Sequence, residues 1–197
     1  MTIYLVRHGQ KHLTAGDPGL TEIGIQQAIK TGLYLKQFPI TQIISSPFLR
    51  TVETAKHIGN QLNIEHSLDD RLVERMNWND KDVSRKIFLQ EWIKATNNRE
   101  YTPKFGDSSK NTGKRIHYII NEFLSADKHI LLVTHGGAIL DYLRNTFGDK
   151  ALSLLKKKYD EGEDFQMMNC SVNKIVIDKE PILELLNYTN HLDSISE

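Results

Sequence analysis

The stretch Leu5-Val6-Arg7-His8-Gly9 and its near repeat Leu132-Val133-Thr134-His135-Gly136 decide the fold of this chain. Each closes an apolar run that is typical of a buried strand, and turn or helix residues follow it. In an open α/β sheet, ligands gather in the crevice at the carboxyl ends of the parallel strands. Two such strands side by side would bring His8, His135 and Arg7 into one pocket. Two imidazoles and a guanidinium suit a phosphate group, so the repeat predicts a phosphate site at this edge.

Strand and helix patterns alternate along the first part of the chain. Residues 3–6 and 40–44 are apolar enough to form strands. A helix capped by Thr21 follows the first strand, and a helix with Ser46 as N-cap and Pro47 as its first residue follows the second. In the first helix, the i, i+3, i+4 pattern predicts an inner face of Ile25, Ala28, Ile29, Gly32 and Leu33.

The same alternation returns later in the chain. Residues 129–134 form a continuous apolar strand, which indicates burial on both faces. A helix follows over residues 136–147, and residues 171–177 alternate well enough for a late strand at an edge of the sheet. The succession of strands and helices predicts an α/β fold, a three-layer sandwich with a mostly parallel central sheet and helices on both faces.

Residues 69–104 break this rhythm. They include two tryptophans, many polar residues and a helix pattern over residues 82–95. We interpret this segment as a lid-like insertion over the sheet edge, where substrate lids usually lie. With its 197 residues, the whole chain is then a single domain, residues 1–197, with this insertion.

Composition limits the classes of partner. The chain has 25 basic and 25 acidic residues, so no global field favours nucleic acid or an anionic membrane. Its single cysteine, Cys170, excludes an intrachain disulfide and indicates a reducing compartment. The chain enters a strand directly at Thr2 and shows no secretion signal or membrane-spanning stretch. We expect a cytoplasmic protein that binds neither nucleic acid nor membrane.

Five motifs in order resemble the histidine phosphatase superfamily, the phosphoglycerate mutase-like proteins. The first is Ile3-Tyr4-Leu5-Val6-Arg7-His8-Gly9-Gln10. The others are Leu20-Thr21-Glu22-Ile23-Gly24 with Gln27-Ala28, Ser45-Ser46-Pro47-Phe48-Leu49-Arg50-Thr51-Val52-Glu53-Thr54-Ala55, Leu72-Val73-Glu74 with the later Gly106-Asp107-Ser108, and Val133-Thr134-His135-Gly136-Gly137. The resemblance implies the phosphoglycerate mutase-like fold and phosphoryl transfer without a metal ion or an organic cofactor.

The residue types agree with the roles that this resemblance implies. His8 can attack phosphorus through one ring nitrogen if the other donates to a fixed acceptor. Arg7 and Arg50 present planar forks of donors to phosphate oxygens, and Arg50 lies in the first turn of a helix, which favours anions. His135 can donate to a further oxygen. Glu74 is the candidate acid that protonates the leaving oxygen and the candidate base that then activates water.

Further candidates for substrate binding surround these five residues. Gly9, Gln10 and Gly136 adjoin the histidines, whereas the weaker candidates are Lys11, His12, Thr21, Trp78 and Ser108. Many family members carry an asparagine after the nucleophile, and this chain lacks it, so Lys11 or His12 is expected to supply that donor. The usual element after the acid is also degraded, to Asn77-Trp78-Asn79-Asp80. Both departures leave the substrate open.

Each candidate also has an ordinary structural interpretation. A single histidine after a strand is usually a hydrogen-bonded core or surface residue, and Arg50 alone would be a surface charge. Ser108 either contacts the site or only caps its helix, and tryptophans usually pack. His12 lies four residues after His8, which raises a metal site, but neither a helix nor further ligands support one. Other carboxylates compete with Glu74 for the acid role: Glu22, Glu53, Asp80 and Asp107.

Three functions follow, and the first is preferred. It is a phosphomonoester hydrolase that acts through a phosphohistidine at His8 on a small phosphorylated metabolite or on a broad range of phosphate esters. The second is a phosphoglycerate mutase, although mutases of this family are usually longer and the loop over residues 10–18 is short. The third is a non-catalytic module that binds a phosphorylated ligand. The oligomeric state is left open.

Overall fold

The computed structural model describes residues 1–79, 81–124, 128–159 and 166–193. Within them, six strands form one sheet: β1 (Thr2–Arg7), β2 (Gln42–Ser45), β3 (His66–Leu68), β4 (His129–Thr134), β5 (Val172–Ile177) and β6 (Pro181–Tyr188). The helices are α1 (Glu22–Leu35), α2 (Leu49–Leu62), α3 (Arg85–Asn97), α4 (Ser109–Asn121) and α5 (Gly136–Tyr159).

The sheet has the strand order β3-β2-β4-β1-β5-β6. Strands β3, β2, β4 and β1 are parallel, whereas β5 is antiparallel to β1 and β6 to β5. The two strands that precede the histidine motifs are direct neighbours, with Arg7 opposite Thr134. The mostly parallel sheet is therefore confirmed. The prediction of β5 as an edge strand is wrong, because β6 pairs with its outer side.

Helices cover both faces of the sheet, as the sequence predicts. Alternate residues of β1 separate the two cores: Ile3 and Leu5 pack with α4 and α5, whereas Tyr4 and Val6 pack with α1 and α2. All four residues are buried. The carboxyl ends of the four parallel strands therefore meet at one edge between these layers.

Two predicted helix boundaries are wrong at their beginnings. Helix α2 begins at Leu49, after Phe48, and Ser46 is not its cap. The Asp17 carboxylate instead accepts from the Leu49 N–H at 2.8 and 3.0 Å. Helix α3 begins at residue 85 and not at 82, because Ser84 caps it by accepting from Ile87 N. Helix α5 is broken at residue 148, close to its predicted end.

The segment over residues 69–104 leaves β3 through a 3₁₀ turn at Asp70–Leu72. An isolated antiparallel bridge then joins Met76 to Gly106, and α3 lies between them. The segment reaches the carboxyl edge of the sheet, where Trp92 of α3 lines a cavity together with Arg7 and His8. Its role as a lid, and the interpretation of the chain as one domain, remain predictions.

None of the helices in the described part of the chain is both long enough and apolar enough to cross a membrane.

Candidate active site

The two histidines meet at the carboxyl edge of the sheet. Their ring centroids lie 5.4 Å apart, and both side chains are buried. The adjacency of β1 and β4 accounts for this, because it places the residues after Arg7 and Thr134 side by side. The convergence expected from the repeated motif is present.

His8 is held with one ring nitrogen engaged. Its Nδ1 lies 2.8 Å from the Gly9 carbonyl oxygen, and a nitrogen that faces a carbonyl must carry the proton. The lone pair of the neutral ring is therefore on Nε2. Burial, followed by the charge of Arg7, holds the pKa of His8 well below its usual range. The neutral imidazole, which is the nucleophilic form, therefore prevails at neutral pH.

Ser46 orients the second histidine. Its hydroxyl lies 2.9 Å from His135 Nε2. Burial, and then the charge of His8, holds the pKa of His135 well below its usual range, so this ring is also neutral. We assign the Ser46 hydroxyl as the donor to Nε2, which places the ring proton on Nδ1. His135 Nδ1 is then a donor.

Arg50 is fixed by two side chains. Its Nη1 donates to Asp17 Oδ1 and its Nη2 to Asn77 Oδ1, both at 3.2 Å. Its guanidinium also lies 4.7 Å above the Phe48 ring, and Phe48 in turn contacts the His135 ring edge-on at 5.2 Å. These contacts lock the guanidinium beside the histidines although Arg50 is almost fully buried.

Three buried donors in this group have no hydrogen-bond partner among the residues that the structure describes. They are Arg7 Nε, Arg50 Nε and His135 Nδ1. In each case another nitrogen of the same side chain is engaged: Arg7 Nη1 donates to the Met167 carbonyl, Arg50 donates to Asp17 and Asn77, and His135 Nε2 accepts from the Ser46 hydroxyl. Buried donors are normally paired, so such a set calls for an acceptor. A phosphate carries acceptor oxygens for all three.

Glu74 lies beside this group. Its Oε1 accepts from the Arg75 N–H at 2.8 Å, and its Oε2 accepts from the Gly137 N–H at 3.1 Å, in the first turn of α5. The segment before it is tied to the sheet and to α4: Thr134 Oγ1 donates to the Leu72 carbonyl, and Arg115 to the carbonyl of Val73. Glu74 is thereby placed beside the cavities that His8 and Arg7 line.

Two cavities open above His8, and Arg7, His8, Glu74 and Trp92 line both. The first cavity, which we call the Asp141 chamber, has a volume of about 410 Å³. Its other lining residues are Arg75, Thr96, Gly136, Gly137, Leu140, Asp141, Gln166 and Met167. The second cavity, the Asn77 chamber, has a volume of about 300 Å³. Its other lining residues are Lys11, Thr14, Gly16, Arg50, Met76, Asn77, Trp78, Phe88 and Leu89. Trp92 of the insertion therefore borders both spaces into which a substrate would extend.

The weaker sequence candidates separate into two groups. Lys11 and Trp78 line the Asn77 chamber, and burial together with the charge of Arg50 lowers the pKa of Lys11. Ser108, Thr21 and His12 line neither chamber. Ser108 caps α4, and Thr21 caps α1 and donates to Gln10 Oε1. His12 is exposed. Lys11 therefore remains the candidate donor in place of the family's asparagine, and His12 does not.

Two of the family-related glycines have clear structural roles. A β-carbon on Gly9 would lie 2.5 Å from the Gly24 carbonyl oxygen, so only glycine lets α1 approach the loop after the nucleophile. The Gly9 N–H donates to Thr54 Oγ1 at 3.0 Å. Gly136 begins α5 beside the Arg7 side chain and lines the Asp141 chamber.

The carboxylates that compete with Glu74 have other partners. Glu53 Oε2 accepts from Leu20 N at 2.6 Å, and Asp107 pairs with Arg115 at 3.1 Å. Glu22 is exposed in the first turn of α1, and Asp80 lies outside the described residues. Of the described candidates, Glu74 is the one that lines the chambers. No group of three or more His, Cys, Asp or Glu side chains in the described ranges is arranged to hold a metal ion.

Residues 3–189 match the family model of the histidine phosphatase superfamily, branch 1. The chain belongs to this superfamily. The family that the five motifs resemble is thereby confirmed.

This histidine phosphatase superfamily member is similar in sequence to a probable mutase and in fold to solved structures of phosphatases. A probable phosphoglycerate mutase of Yersinia pestis is 29% identical over 214 aligned positions, which cover 98% of this chain and 95% of the relative. A mycobacterial glucosyl-3-phosphoglycerate phosphatase in complex with inorganic phosphate has a TM-score of 0.77 at 18% identity, covering 96% and 98% of the two chains. A mutant phosphoserine phosphatase from Entamoeba histolytica, in complex with phosphoserine, has a TM-score of 0.71 at 22% identity, covering 97% and 98%. The two structures share the fold.

The buried histidines are expected to make stability depend on pH. In the unfolded chain His8 has a pKa of about 6.5, whereas the folded protein keeps it neutral to a much lower pH. When the pH falls below about 6.5, the unfolded state binds more protons than the folded state, so stability is lost. When the pH is lowered from about 7.5 to about 5.5, the free energy of unfolding should decrease by roughly 1 kcal/mol more in wild type than in a His8→Asn variant. Urea denaturation at both pH values measures this difference, and equal losses in the two proteins would contradict a neutral, buried His8.

Proposed function

We propose that this protein is a phosphomonoester hydrolase that acts through a phosphohistidine at His8 on a small phosphorylated metabolite. The observation that carries the proposal is the set of buried donors on Arg7, Arg50 and His135, beside a histidine whose Nε2 is available for attack. Membership of the superfamily supports the same chemistry.

The mechanism follows from these positions. His8 Nε2 forms a bond to phosphorus as the ester P–O bond breaks in line with it, and Glu74 gives a proton to the departing alkoxide oxygen. Arg7, Arg50 and His135 donate to the equatorial oxygens, whose shared negative charge they stabilise. Glu74, now ionised, takes a proton from a water that attacks the phosphohistidine. Inorganic phosphate leaves, and His8 and Glu74 return to their initial states.

A mutase is the second candidate, because a probable phosphoglycerate mutase is 29% identical over nearly the full length. A mutase passes the phosphoryl group to a second hydroxyl and must keep water away from the phosphohistidine. The loop over residues 10–18 is short, and the 69–104 insertion that lines both chambers is modest. We favour transfer to water for this reason.

One incubation separates the two candidates. With 3-phosphoglycerate as substrate, we expect free phosphate to accumulate faster than 2-phosphoglycerate, as followed by phosphate release and by ³¹P NMR. Isomerisation faster than phosphate release would replace the hydrolase by the mutase. A screen of phosphorylated sugars, nucleotides and amino acids then defines the substrate.

The same assay tests the expected lack of a metal requirement. We expect EDTA to leave phosphate release unchanged, and vanadate to inhibit it because vanadate adopts the trigonal bipyramid of an in-line displacement. A strong loss of activity on chelation, restored by a divalent cation, would show that a metal ion takes part.

A further inference from the structure

A buried ion pair borders the Asp141 chamber. Arg75 Nη1 lies 3.3 Å from both Asp141 carboxylate oxygens, and the two side chains are 3% and 1% exposed. Ser109 Oγ donates to Asp141 Oδ1 at 2.5 Å. Arg75 and Asp141 both line the chamber that Glu74 and His8 also line.

Stability alone gives little reason for this pair. Removing two charges from water costs about as much as their mutual attraction returns, so such pairs are often replaced by neutral residues without loss. Burial raises the pKa of Asp141 to about 6 even though Arg75 opposes the shift. The pair therefore needs an explanation other than its own interaction energy.

Arg75 contacts Glu74 and side chains of both α3 and α5. Its backbone N–H donates to Glu74 Oε1 at 2.8 Å. Its guanidinium lies 4.1 Å from the centre of the Trp92 ring, and its Nη2 donates to Thr96 Oγ1 at 2.8 Å, both on α3. Asp141 anchors the same guanidinium to α5. One side chain thus joins the Glu74 segment to two helices.

The Glu74 carboxylate is also held directly by α5 and packed close to Trp92 of α3. Gly137, in the first turn of α5, donates its N–H to Glu74 Oε2. A β-carbon on Gly137 would lie 2.6 Å from Glu74 Oε1 and 2.7 Å from Trp92 Cη2, so carboxylate, indole and backbone are packed without spare room. A shift of Trp92 would therefore change the position available to Glu74.

We propose that the Arg75–Asp141 pair is a positioning device for Glu74, which fixes the acid against α5 and seats Trp92 beside it. This inference rests on the proposed function. Its consequence is specific to the leaving group. Esters whose alcohol leaves poorly need a well-placed proton donor, whereas p-nitrophenolate is a stable anion and needs none.

The test is the neutral variant Arg75→Met/Asp141→Asn. Its asparagine still accepts from Ser109, and no buried charge is left unpaired, which preserves the fold. We expect kcat/KM for glycerol 2-phosphate to fall by about 10- to 100-fold and that for p-nitrophenyl phosphate by less than about 3-fold. In a Glu74→Gln background the same two substitutions should cost nothing further, because both act through one group.

Arg144→Met is the matched control. Arg144 also ties α3 to α5, by donating to the Thr96 carbonyl at 3.1 Å and pairing with Asp149, but it does not contact Glu74. We expect its ratio of the two kcat/KM values to equal that of wild type. Equal losses on both esters in the Arg75 variant, the same ratio change in Arg144→Met, or additivity with Glu74→Gln would overturn the inference. A wild type that hydrolyses neither ester would instead refute the proposed function.

Discussion

Replacement of His8 by alanine is expected to lower phosphomonoester turnover by at least about 10³-fold, because it removes the proposed nucleophile. The loss should be similar for alkyl and aryl phosphates, since the attack on phosphorus is common to both. Binding of inorganic phosphate should largely persist, because Arg7, Arg50 and His135 keep their donors. Steady-state phosphate release and phosphate titration by calorimetry measure the two effects.

His117→Ala is the control for this substitution, because His117 is exposed on α4. It should retain the activity of wild type, and both variants should keep the wild-type circular dichroism spectrum. Equal background rates in wild type and His8→Ala, with phosphate still bound, would identify the third alternative, a non-catalytic module that binds a phosphorylated ligand.

Glu74→Gln is expected to separate the two chemical steps. For an alkyl phosphate, kcat/KM should fall by about 10²- to 10⁴-fold, because the glutamine amide cannot protonate the leaving oxygen. For p-nitrophenyl phosphate, kcat/KM should change by less than about 10-fold, since nitrophenolate leaves without a proton. Its kcat should still fall, because hydrolysis of the phosphohistidine lacks a base.

Rapid mixing with p-nitrophenyl phosphate reveals this second effect. We expect a burst of one nitrophenolate per Glu74→Gln active site, followed by slow turnover. Asp107→Asn is a suitable comparison, because Asp107 pairs with Arg115 and lines neither chamber. An equal loss of kcat/KM for the two esters in Glu74→Gln would show that another group is the acid.

Local sequence patterns predict much of the scaffold. The strand over residues 129–134 is found with the same bounds, because a run of apolar residues between polar ends allows few alternatives. The end of the helix near residue 147 is also close, since Gly148 adopts φ 69°, a conformation that interrupts the helix. Strands β1 and β4 pair directly, as the phosphate-site interpretation of the repeated motif requires, although burial alone does not determine which strands are neighbours.

The inner face of α1 shows where periodicity alone is insufficient. The pattern predicts Leu33 inside, yet it is 50% exposed, whereas Thr31 is fully buried. Thr31 Oγ1 contacts His191 Nε2 at 2.9 Å and lies near the Cys170 carbonyl. The C-terminal segment packs on this face and turns a polar position inward, and nothing within the helix sequence indicates that contact.

The candidate site also has a part that the sequence predicts and a part that it does not. His8, Arg7, His135 and Glu74 adjoin recognisable motifs, so their candidate roles could be predicted. The residues that hold them come from distant segments: Asp17 and Asn77 on Arg50, and Gly137 on Glu74. These contacts exist only once the fold brings the segments together. The sequence favours packing for Trp92, and its place in the insertion is the signal that it lines both chambers.

Detection of the covalent intermediate tests the central claim most directly. Glu74→Gln protein, mixed with p-nitrophenyl phosphate and quenched under alkaline conditions that preserve phosphohistidine, can be digested and mapped by mass spectrometry. We predict one phosphoryl group on the peptide that contains His8, and none when His8 is also replaced by alanine. Nitrophenolate release with the phosphoryl group on another residue, or with no labelled peptide during the burst, would contradict the account.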